Sequence, residues 1–151
     1  YVISYLCFET ESHADFREHG GLTWLIQVLH LHLVNEDVIV AACRAAGIMV
    51  SFSGKVGATA FTEGGGVTEL ASVLRHYRDR GHAEVLREAF STCKLLLKQN
   101  VPEVEMEFRR SGGQSLAREI QEGKHVLKVK VPSLLLLKGS TSFRTLPVAR
   151  E

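Results

Sequence analysis

Apolar residues in this chain step by three and four positions and almost nowhere alternate. Laid on one another without a gap, residues 37–53 and 84–100 agree closely. Val38, Ile39, Ala42, Ala46, Met49 and Val50 fall on Val85, Leu86, Ala89, Cys93, Leu96 and Leu97. That stripe predicts two long helices, each burying one side against its neighbours. Shorter stripes at Leu25, Val28 and Leu29, and at Leu70, Val73 and Leu74, predict a helix before each long one. A third copy keeps Ile120 but puts Ala117 and Gln121 at the other two places, with Leu116 one position earlier.

A six-residue pattern marks the start of each unit: Phe16 with Gly20 and Gly21, Phe61 with Gly65 and Gly66, and Phe108 with Gly112 and Gly113. The phenylalanines stand 45 and 47 residues apart, inside the roughly 40 to 47 residue period of helical solenoid repeats. A short helix carrying the phenylalanine must stop and turn, and glycine takes the positive φ of such a corner without steric cost. Thr23, Thr68 and Ser115 follow each pair and are expected to help satisfy free N–H groups in the first turn.

The ends of the chain are less regular. Tyr1 to Leu6 reads as the tail of a helix whose repeat began upstream, so a piece of a longer protein is expected. Leu127 to Val131 alternates like a strand, but a last helix beginning near Pro132 is favoured, because proline is tolerated in a first helical turn. The expected organisation is a repeat domain over 1–138, with repeats near 14–58, 59–105 and 106–138, and a tail or cap remnant over 139–151.

Eighteen basic and seventeen acidic residues give a net charge of +1, which supplies no strong field for nucleic acid or anionic lipid. No apolar run read from the sequence approaches the ~20 residues of a membrane span. Cys7, Cys43 and Cys93 are odd in number and widely separated, which suits apolar filling in a reducing, cytoplasmic setting better than disulfides or zinc.

Catalytic, cofactor and metal chemistry finds no constellation. Gly64 to Gly66 follows a helix and has no Lys-Ser or Lys-Thr after it, unlike a phosphate loop. His30 and His32 fall on different helix faces, His76 and His82 lie across a polar link, and neither Cys43 nor Cys93 has a histidine one turn away. Glu9, Glu11, His13 and Asp15 read as a polar link between helices. No enzyme, cofactor or metal site is expected. What remains is a basic and polar stripe opposite the apolar one: Arg87, Ser91, Lys94 and Lys98, with Arg44 among its counterparts in the first unit. Such a stripe prefers an acidic protein surface.

The recurrent phenylalanine and glycine pair, with a long helix ending each unit, resembles the armadillo repeat family over Tyr1 to about Leu137. The resemblance implies an all-α, right-handed solenoid of about three repeats plus a partial N-terminal helix. The asparagines and tryptophan ladder of importin-type members are missing. Leu6-Cys7, Ala14 to Phe16, Phe108-Arg109, Leu127 to Lys130 and Leu134-Leu135 are similar to the armadillo nucleotide-exchange factors that bind the ATPase domain of seventy-kilodalton heat-shock chaperones. Membership there implies a protein partner, with Arg44, Arg87, Ser91, Lys94, Lys98, Lys128 and Lys130 facing it and ADP release as the result. The alternative is a passive scaffold in a cytoskeletal, ciliary or ubiquitin-ligase assembly.

Overall fold

The computed structural model describes residues 15–122 together with Leu135, and over these residues the protein is helical with no strand. Expectations for Tyr1 to Leu6, for residues 124–133 and for the tail over 139–151 lie outside the described residues. A helical turn at 15–18 carries Phe16. It is followed by α1 (Gly21–Leu31), α2 (Glu36–Glu63), α3 (Gly66–Tyr77), α4 (Ala83–Lys98), α5 (Pro102–Arg110) and α6 (Gly113–Glu122). α2 is two helices joined at Gly54, whose φ of 58° and ψ of −139° are not helical. Only glycine holds that conformation cheaply. The break therefore falls at Gly54, inside the repeat placed at 14–58.

The three phenylalanine corners have one geometry. Gly20, Gly65 and Gly112 take φ of 77°, 86° and 78°. Each closes the incoming turn through its own N–H, to the carbonyls of Arg17, Thr62 and Arg109 at 3.0–3.1 Å. Their carbonyls then accept the first bonds of α1, α3 and α6, from the N–H of Trp24, Glu69 and Leu116. The second glycine does different work: a Cβ at Gly21, Gly66 or Gly113 would overlap the ring of Phe16, Phe61 or Phe108 respectively. One glycine turns the chain, and the next admits the ring that closes the corner.

The expected hydroxyl caps do not form on α1 and α3, which begin at left-handed glycines with no side-chain cap bond. Thr68 donates instead to Glu107 Oε1 of α5 at 2.8 Å. Asn35 does cap, accepting from the Val38 N–H at 3.3 Å to start α2. At the far end of α4, Asn100 takes φ of 53°, the left-handed C-terminal stop that asparagine tolerates. Pro102 then occupies the first turn of α5, where its missing N–H costs nothing.

Each helix lies against its counterpart one unit further on. α1 packs on α3, α2 on both α4 and α5, and α3 on α6, with α2 and α4 in the most extensive contact. One cluster of buried residues runs through them, including fully enclosed Leu25, Ile39, Met49, Phe61, Leu70, Tyr77, Leu86, Phe90, Leu96 and Phe108. Burial of each such side chain contributes about 1.5–3 kcal/mol. Tyr77 keeps its hydroxyl satisfied inside this core by donating to the Leu33 carbonyl at 2.8 Å. Among the described helices, Glu36–Glu63 is long and apolar enough by length and composition to span a membrane. The sequence reading missed this because no uninterrupted apolar run marks it. Here its apolar stripe is taken up by α1, α3 and α4.

The division of labour between paired glycines is testable by urea unfolding. Gly66→Ala should cost about 1–3 kcal/mol through overpacking against Phe61, and Phe61→Leu in the same chain should recover part of that loss. Gly65→Ala, where nothing stands near the added carbon, should cost about 1–2 kcal/mol through backbone strain and gain nothing from the Phe61 change.

Candidate functional site

The long helices α2 and α4 run side by side because small and polar residues line their crossing. Gly47 is buried, and a Cβ there would press on Leu95 Cδ1 and Thr92 Oγ1, both at 3.2 Å. Thr92 is itself buried, and its hydroxyl donates to the Cys43 carbonyl across the crossing at 2.7 Å. The lost side chain at position 47 is thus what lets the two backbones approach. Gly47 is the first-unit counterpart of Lys94, so the polar stripe does not repeat faithfully along the chain.

Arg87, Ser91, Lys94 and Lys98 are all exposed on α4, opposite its buried Val85, Leu86, Ala89, Cys93 and Leu96. The four lie within twelve residues, eleven steps and about 16 Å of helix at 1.5 Å per residue. No ion-pair partner for Arg87, Lys94 or Lys98 stands among the described residues. Lys98 lies in the last turn of α4, where its charge also offsets the helix dipole.

Arg44 differs. Its guanidinium donates to Glu88 Oε1 at 2.9 Å and lies 3.8 Å from Glu84 Oε1, so its charge is committed to tying α2 to α4. Glu84 and Glu88 also make the N-terminal end of this face mixed in charge. The sequence reading of the stripe missed these two acids; Glu88 stands three residues before Ser91, the counterpart of Arg44, and that one-turn offset could have pointed to the pair. Lys128 and Lys130 lie outside the described residues.

Other polar contacts join one unit to the next. His30 pairs with Glu69 at 3.2 Å, His82 with Glu36 at 2.7 Å and Arg78 with Glu119 at 2.5 Å, while Arg75 donates to the Ser111 carbonyl at 3.0 Å. These exposed pairs contribute little stability each, but they fix the register between helices. The rings of His76 and His82 both stand edge-on to Tyr77, with centroids 4.9 and 5.4 Å away. Partial burial, with Arg80 and His82 nearby, holds the His76 imidazole below its ordinary range. Burial, reinforced by Glu36, pushes the Tyr77 hydroxyl up.

No family model, curated protein or solved structure matches this chain. What the site can do therefore rests on its own chemistry. Among the described residues no three His, Cys, Asp or Glu side chains gather to hold a metal ion. Cys43 and Cys93 are free and buried. Burial pushes both thiols up, Cys93 to about 12, which leaves them protonated and unreactive at neutral pH.

In a Cys7→Ser chain, Cys43 and Cys93 should react with a thiol reagent only at the rate of unfolding. Below the ordinary thiol pKa neither state is ionised; above it the unfolded thiols ionise and the buried ones do not. Stability should therefore fall as pH rises from about 9 toward 12, and Cys93→Ala should flatten part of that slope in denaturant titrations run at successive pH values.

Proposed function

We propose that this protein is a non-enzymatic, armadillo-like helical solenoid that binds another protein through the exposed side of α4. The observation that carries the reading is the joint occurrence of three equivalent corners and three cations on one helix face without described partners. Stacked units with a continuous core leave long surfaces free for docking. Arg87, Lys94 and Lys98 supply orientation and association rate to an acidic partner surface more than raw affinity. Arg44 acts as a positioning residue, holding α2 and α4 in register.

In its sharpest form the proposal makes the chain a co-chaperone of a seventy-kilodalton heat-shock protein, following the resemblance of Phe108-Arg109 and its neighbours to the armadillo exchange factors. The work required is thermodynamic: tighter binding to the open than to the closed form of the chaperone's ATPase domain shifts that domain toward opening and releases ADP.

A chaperone loaded with fluorescent ADP should lose its nucleotide faster in the presence of excess chain. Arg87→Glu with Lys94→Glu should reduce the acceleration about tenfold or more while leaving the unfolding midpoint within a few degrees. Absence of any acceleration would remove the exchange-factor form and leave a scaffold. A large drop in thermal stability would mean that this face of α4 is buried in the functional protein.

A further inference from the structure

Acids are distributed unevenly over the two long helices. Between Asp37 and Glu63, α2 carries no Asp or Glu, and its charges there are those of Arg44 and Lys55. After Glu88, α4 carries no acid either and keeps Lys94 and Lys98. The two helices run in the same direction, since Arg44 meets Glu88, Gly47 meets Thr92 and Leu95, and a Cβ at Gly54 would stand 3.9 Å from Gln99 Oε1. Their acid-free lengths therefore come together toward the C-terminal end of the crossing.

Charge along the crossing is graded as a result. At the N-terminal end of α4, Arg44 and Arg87 stand with Glu84 and Glu88, so cations and acids balance. At the other end Lys55, Lys94 and Lys98 are all exposed, and none of them has an ion pair among the described residues. The next acids in the chain, Glu103 and Glu105, belong to the first turn of α5, and Glu105 is held by Arg109 at 2.6 Å. Lys98 shares its field with the last carbonyls of α4, whereas Lys55 and Lys94 keep theirs. Because the whole chain carries a net charge of only +1, attraction for acids comes from this local excess.

We propose, on the protein-binding reading given above, that this surface takes an acidic protein segment in one fixed direction. The segment's carboxylates gather at the end marked by Lys55, Lys94 and Lys98, and an uncharged or basic residue lies beside Glu84, whose side chain is 63% exposed. Docked the other way round, the same segment would set its carboxylates against Glu84 and Glu88, and like charges brought together at an interface exclude a wrong pose. Lys94 and Lys98 stand one turn apart on α4, a spacing that matches carboxylates in adjacent turns of a helix or two residues apart in an extended strand. From Glu84 to Lys98 is fourteen steps, about 21 Å of helix, which roughly six extended residues cover.

Two fluorescein-labelled peptides of identical composition separate direction from net charge. One has four glutamates at one end and two lysines at the other; its companion has the same residues interspersed. In anisotropy titrations with the full chain at low salt, the segregated peptide should bind about tenfold more tightly than the interspersed one. Lys94→Gln with Lys98→Gln should erase that difference, Glu84→Gln should narrow it, and Arg118→Gln, an exposed cation on α6, should leave it intact. The proposal is overturned by equal binding or no binding of the two peptides, by a difference that survives the lysine changes, or by a fall of many degrees in the unfolding midpoint of the lysine variant. Tighter binding of poly-uridylate than of either peptide would also overturn it, assigning the cations to a phosphate backbone. Equal peptide binding in a chain that still releases ADP from the chaperone in a manner sensitive to Arg87→Glu with Lys94→Glu would remove the direction alone and leave protein binding in place.

Discussion

The contact on which the rest depends is a phenylalanine ring lying over the backbone of a glycine. It can form only where the chain reverses within two residues, and it removes a large apolar surface from water at the point where one helix hands over to the next. Made three times, it repeats one corner along the chain, with the same left-handed φ and the same closing hydrogen bond. Close approach of α2 and α4 then adds a second kind of contact, through the missing Cβ of Gly47 and the Thr92 hydroxyl.

Much of this arrangement is legible in the residues. Spacing of apolar positions predicted the helices because burial against neighbours on one side leaves a period of three and four in the sequence. Repetition of phenylalanine with paired glycines located the corners. The separate roles of the two glycines were not legible, since a string of letters does not distinguish a residue needed for its φ from one needed for its missing Cβ. Nor was the failure of Thr68 as a cap, because its hydroxyl is drawn to Glu107, a carboxylate that is distant in sequence and arrives only when α5 packs.

The polar face of α4 was legible as a pattern but not as a charge distribution. Helical spacing alone puts Arg87, Ser91, Lys94 and Lys98 together, because the same periodicity that buries one side exposes the other. Which cations keep their charge available depends on acids brought in from elsewhere. Glu88 neutralises Arg44 across the α2–α4 crossing, and a reading of one helix at a time cannot see that exchange. The sequence also gave no hint of the histidine pairs with Glu36 and Glu69, whose partners lie a whole unit away.

Gly54 carries a consequence of a mechanical kind. The two halves of α2 belong to successive units yet are continuous through this single residue, and an added Cβ there would find only Gln99 within 4 Å. The positive φ, and not a shortage of space, is therefore what restricts this position to glycine. Any other residue there would hold the joint between the two halves under backbone strain without meeting a crowded neighbour, so the angle is set by conformational cost at one α-carbon.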